Sequence, residues 1–140
     1  SWSWQVSQSV PPTDLARKGG DDRNLALYFV FLPEAEAERV QGSRVTELLS
    51  NDAVRVLIYV WGGDHAQGAV LNSPYLGARG KTVVLRGAGT GEAQESVDLA
   101  ADYARAFGGQ ATSLVGLAVS GDSDDTDSAI RARISGLQVR

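Results

Sequence analysis

Leu25-Ala26-Leu27-Tyr28-Phe29-Val30-Phe31-Leu32 is an uncharged run rich in aromatic and branched side chains, and its reading decides the fold. Apolar character at every position, rather than at every second one, is what a strand needs when both faces of its sheet are covered. Val54-Arg55-Val56-Leu57-Ile58-Tyr59-Val60-Trp61 has the same character and ends at the turn signal Gly62-Gly63-Asp64. Other strands are read outward from these two. Trp2, Trp4 and Val6 alternate with Ser3 and Gln5, the period-two pattern of a half-buried strand, which Pro11-Pro12 ends. Lys81–Arg86 and Leu114–Val119 add two more, and Ile130, Ala132 and Ile134 alternate with Arg131 and Arg133 in the last.

Helical spacing occurs twice. Val97, Ala100, Ala101, Ala104 and Phe107 form one stripe, with Gly108-Gly109 behind it as a stop, which predicts a helix over Ala93–Phe107. Val45, Leu48 and Leu49 predict about two turns over Arg44–Ser50, with Ser43 as the N-cap. Glu34–Arg39 either extends that helix or forms a solvated loop broken at Gly42. Short strands between Gly, Asn and Asp turns indicate a mainly β protein, an antiparallel sandwich with one or two helical insertions. A mixed α+β sheet is the alternative, because the Ala93–Phe107 helix is longer than a sandwich connection requires.

At 140 residues the chain is one domain's worth, residues 1–140, and needs no disulfide to fold. Thirteen Lys and Arg against seventeen Asp and Glu leave a net charge of −4, and the cations are scattered, which argues against nucleic acid or an anionic membrane surface as partner. Without cysteine there is no disulfide, thiolate nucleophile or cysteine-ligated metal. The longest apolar run is far below the roughly 20 residues of a membrane helix, so membrane insertion is not expected. The sequence starts without Met and already alternates as a strand, so it is expected to be the C-terminal part of a longer precursor.

Four groups of residues could carry function. Arg17-Lys18-Gly19-Gly20-Asp21-Asp22 joins two strands: its glycines free the backbone, and Asp21 and Asp22 can bind a cation, accept sugar hydroxyls or act as acid and base. Equally, Asp21 can be a turn residue that accepts backbone amides beside Lys18 or Arg17. In Gly121–Ser128, four aspartates within six residues repel one another unless screened, and Asp122, Asp124 and Asp125 are candidate ligands for calcium. The loop is no EF-hand, since Asp127 and Arg133 stand where that motif has glycine and glutamate. Trp61, Tyr75 and Asn72 suit a glycan platform of flat aromatic faces beside a polar group, whereas the shared face of Trp2 and Trp4 implies burial. His65, the only histidine, has no partners in sequence for a triad and reads as a surface residue.

Several blocks also suggest a family. Trp2-Ser3-Trp4-Gln5-Val6, Asp14–Asp22, Tyr28-Phe29-Val30-Phe31, Tyr59-Val60-Trp61, Asn72-Ser73-Pro74-Tyr75, Val83-Val84-Leu85-Arg86, Asp102-Tyr103, Phe107-Gly108 and Gly116–Val119 through Asp122–Thr126 resemble, in order and spacing, the bacterial family filed as domain of unknown function 3047. Members usually carry more chain before the Trp-x-Trp strand. The closing strand after an Asp-rich loop is also similar to the end of galactose-binding-like jelly rolls of carbohydrate-binding modules. The family name carries no activity; the jelly-roll likeness implies a non-catalytic binding module, secreted or periplasmic, for a carbohydrate or similar polar ligand, and Lys18, Asp21, Asp22, Trp61, Asn72 and Tyr75 of the groups above are its candidate binding residues. A carboxylate-dependent hydrolase using Asp21 or Asp22 with an aspartate of the 122–127 loop, and a structural domain whose sheet pairs with a partner or another copy, are the alternatives.

Overall fold

A computed structural model describes residues 1–140. In chain order the elements are β1 (Trp2–Gln8), β2 (Arg23–Leu32), α1 (Glu34–Arg39), α2 (Val45–Leu49), β3 (Arg55–Trp61), β4 (Val70–Ser73), β5 (Gly77–Arg86), β6 (Gly91–Glu95), α3 (Leu99–Phe107), β7 (Ser113–Asp122) and β8 (Arg131–Ser135). They make two sheets, a three-stranded β6-β1-β8 and a five-stranded β4-β5-β3-β2-β7. The protein is therefore mainly β, with two sheets packed as a sandwich.

Every pairing is antiparallel except β3 with β5, so the larger sheet is mixed rather than wholly antiparallel as expected. The cause is the route of the chain. After β3 it takes the outer edge first as β4, then returns as β5 between β4 and β3, which sets β5 parallel to β3.

The two apolar runs lie side by side, with Phe29 opposite Leu57. One face of this pair, with Leu25, Leu27, Phe29, Phe31, Leu57, Tyr59 and Trp61, meets Trp2, Trp4 and Val6 of the small sheet. Aromatic edges interlock there: Trp2 and Trp4 are 5.4 Å apart between ring centroids, Trp4 and Trp61 5.7 Å, each pair edge to face. The opposite face, with Ala26, Val30, Leu32, Val56, Ile58 and Val60, is covered by Leu15 and by Leu48 of α2. Burial on both sides is what the unbroken apolar runs indicated.

The long helix is shorter than its spacing suggested. Residues 93–95 belong to β6, where Ala93 pairs with Trp4 and the Trp4 indole donates to Glu95 at 3.1 Å. The helix starts only at Leu99, behind Asp98, whose carboxylate caps the Ala101 amide at 3.1 Å. Val97 thus fitted the helical stripe without being helical, and over residues 93–95 sheet pairing won. There are three helices rather than one or two: Glu34–Arg39 is a separate six-residue helix, and Gly42, at φ 85°, breaks it from α2. Arg44, not Ser43, occupies the N-cap of α2, without a side-chain cap bond. The edge strands β4 and β6 were not expected.

The interlocked tryptophans set a stability expectation. Trp4→Ala should cost about 3–5 kcal/mol in chemical denaturation, the usual loss on truncating a fully buried large aromatic.

Candidate binding site between two acidic loops

The segment before β2 is a tight polar turn. Gly20 donates its amide to the Arg17 carbonyl at 3.0 Å, Arg17 donates to that of Asp14 at 3.2 Å, and the Thr13 hydroxyl donates to the Gly20 carbonyl at 2.6 Å. A Cβ at position 20 would stand 2.5 Å from the Asp14 carbonyl oxygen, so the turn closes only around glycine there. Its effect is to deliver Asp21 and Asp22, both buried, to the start of the central strand.

Asp22 is fully buried and reaches across to the second acidic loop. Its Oδ2 accepts the Thr126 amide at 2.8 Å and its Oδ1 the Asp125 amide at 3.4 Å. Burial alone would raise its pKa, but the hydrogen bonds from Thr126 and Asp125 override it and hold the carboxyl below the ordinary range. The anion is thus the latch that fastens residues 123–128 over the sheet. Beside it, Asp21 takes Arg23 Nη1 at 3.5 Å and the Tyr75 hydroxyl at 3.4 Å. Tyr75 is 62 % exposed, and the Lys18 ammonium lies 5.6 Å from its ring centroid. The charge of Asp21 is the chief influence raising the Tyr75 pKa.

The second loop supplies crowded charge. Asp122 Oδ1 accepts the Asp124 amide at 3.2 Å, and one carboxylate oxygen each from Asp22, Asp124 and Asp125 lie within 4.8 Å of one another. A hydrogen bond with Asp122, then the charges of Asp122 and Asp125, push the Asp124 carboxyl up to about 6. Asp125 is raised by desolvation first and then by the charges of Asp22 and Asp21.

The two loops therefore share one place in the fold. Lys18, Asp21, Asp22 and Tyr75 come together with Asp124 and Asp125, with Asp122 behind Asp124. Trp61 does not join them: it is 4 % exposed, donates its indole N–H to the Gly89 carbonyl at 3.1 Å and packs on Trp4. Its position at a strand end resembles an exposed platform, but the small sheet covers that end. Asn72 bonds to Lys81 of β5 instead of to either loop. His65 stands 3.1 Å from Asp14 Oδ1 and takes no part in the cluster.

Sequence reasoning missed Asn24 and Arg23. Asn24 is buried, accepts the Val10 amide at 2.8 Å and donates to Ser9 Oγ at 2.9 Å, which pins the strand-to-loop crossing below the site. A polar residue between two aspartates and an apolar run was the available signal. Arg23 links Asp21 to the Tyr28 hydroxyl at the cluster's apolar side.

Beside Tyr75 lies a small cavity of about 180 Å³, lined among others by Arg23, Tyr28, Ser73 and Thr82. A larger cavity, about 600 Å³, lies between Trp2, Phe29 and the start of α3, and neither acidic loop lines it.

Residues 1–138 match the family described as protein of unknown function (DUF3047). The chain belongs to that family. No curated protein and no solved structure matches it. Within this DUF3047 domain, Asp14–Asp22 and Asp122–Thr126, two blocks far apart in sequence, are joined through Asp22.

Asp22→Ala should cost about 1–3 kcal/mol, since it strips two loop amides of their acceptor, and should speed hydrogen exchange at residues 125 and 126. Asp124 carries the opposite sign of pH dependence. Its folded pKa is raised above 3.8, so its favourable contribution is complete below that value and is lost as pH rises through about 6. Asp124→Asn should therefore raise the melting temperature at neutral pH, and the gain should vanish as the pH falls towards 4, as read by thermal denaturation across that window.

Proposed function

We propose that this domain is a non-catalytic binding module, secreted or periplasmic, that takes a carbohydrate or similar polar ligand where the two acidic loops meet. One observation carries the reading: an exposed tyrosine ring, anchored through its hydroxyl to a buried aspartate, stands beside a lysine and a group of carboxylates. An exposed aromatic face packs on the CH surface of a sugar, and neighbouring carboxylates accept its hydroxyls. The cavity beside Tyr75 is smaller than the roughly 300–1,000 Å³ of pockets that engulf drug-sized ligands, so the ligand is gripped by an edge and not enclosed. The two-sheet sandwich supports a galactose-binding-like jelly-roll type, with the parallel β3–β5 pair as a departure from it.

Calcium is the cation that suits this set of oxygens, because Asp22, Asp124 and Asp125 are hard ligands already crowded together. Its role in the reading is to relieve the repulsion that raises Asp124 and Asp125. The hydrolase is the weaker alternative. The carboxylates converge, but Asp22, held below the ordinary carboxyl range by its amide hydrogen bonds, is too weak a base to take a proton near neutral pH.

A glycan array, run with and without calcium, tests the proposal. Binding should appear with the wild-type domain and weaken roughly tenfold, about 1.4 kcal/mol, in Tyr75→Ala with the fold retained. Trp61→Ala, by contrast, should unfold or loosen the domain. Uniform absence of binding in both conditions would remove the reading, and calcium-independent binding that survives Asp124→Asn would remove the cation from it.

A further inference from the structure

The two sheets expose four edges, and three are protected. β4 is only four residues long, β6 carries Glu92 and Glu95, and β8 carries Arg131 and Arg133. Short length and charge are the usual devices that keep a sheet edge from adding another strand. β7 has neither. It is ten residues long, has no charge or proline from Ser113 to Gly121, and forms backbone hydrogen bonds on its β2 side alone.

The same strand carries unmet apolar surface. Leu117 and Val119 lie opposite Phe29 and Leu27, so they point to the face that the small sheet covers elsewhere. Three strands do not extend over five, and Leu114, Leu117 and Val119 remain 38 %, 41 % and 49 % exposed. They are three of the six large hydrophobic residues exposed in the whole chain.

We infer that β7 is an interaction surface whose occupant is β7 of a second copy, paired antiparallel about the middle of the strand. Self-pairing fits this strand for electrostatic reasons. Its only charge is Asp122 at one end, and an antiparallel partner places the second Asp122, with its acidic loop, at the opposite end of the seam, about 25 Å away at the rise of a strand. A parallel partner would set the two acidic loops side by side. Leu117 and Val119 of each copy then cover those of the other, next to the two-fold axis. The pairing closes on itself, since the remaining edge of each large sheet is the short β4, so it yields a dimer with a continuous ten-stranded sheet and no fibre. One strand pair is a small contact, which places the dimer among weak, concentration-dependent ones.

Sedimentation of the full chain from micromolar to near-millimolar concentration tests this. The mass should rise from one protomer towards two, hydrogen exchange at residues 113–121 should slow with the same concentration dependence, and Val119→Lys or Leu117→Lys should hold the protein at protomer mass with an unchanged circular dichroism spectrum. A constant protomer mass over the range overturns the inference. So does a dimer that leaves β7 exchange unchanged, or one that survives either lysine in a folded variant.

Discussion

Everything in this fold follows from the requirement that β2 and β3 be covered on both faces. A half-buried sheet needs one apolar layer against it, but strands that are apolar at consecutive positions need two. The protein meets one demand with the small sheet, whose contribution is concentrated in Trp2, Trp4 and Val6, and the other with α2 and Leu15. The first layer is stiff and aromatic and the second is assembled from short helices and loops. Coverage runs out at β7, where the sheet is wider than the layer above it.

The candidate site depends on the same strand. Asp21 and Asp22 are the last residues before β2, so the rigid sheet fixes where their carboxylates lie. A buried anion is costly unless it is paired or hydrogen-bonded, and Asp22 meets that condition with main-chain amides from a loop about a hundred residues later. The demand of one buried charge for donors thus organises a second loop, and the charges of that loop are then forced close enough to shift one another. Repulsion of this kind, at an exposed rim, adds to the Asp122 hydrogen bond in raising Asp124 and to desolvation in raising Asp125.

Most of the strand content was legible because it rests on periodicity, which is a local property. The central runs, the Trp-x-Trp strand and the closing strand all lie where alternation or continuous apolarity put them. β4 and β6 were not legible, since Val70–Ser73 and Gly91–Glu95 are edge strands with little apolar character, and their pairing is decided by neighbours that the local pattern does not show. The start of α3 was misplaced for the same reason. In the site, the acidic loops were visible as composition, while the burial of Asp22 and the core position of Trp61 were not, because each depends on which distant segment packs above it. Tyr75, flanked by Pro74 in a loop, was the aromatic whose exposure could be read from its local setting.

The small sheet has one further property. Its central strand β1 begins at Trp2, while its neighbours come from residues 91–95 and 131–135, with Trp4 opposite Ile134. Strand β1 thus waits for one of its two backbone partners until a segment far downstream has been made, and the large sheet likewise needs β7 beside β2. Contacts of such long sequence separation make folding slow and leave hydrophobic surface open in the meantime. On the ribosome, the β8-facing backbone groups of β1 stay unpaired until residues 131–135 have emerged, so the small sheet remains open to chaperones and proteases long after its tryptophans have found cover.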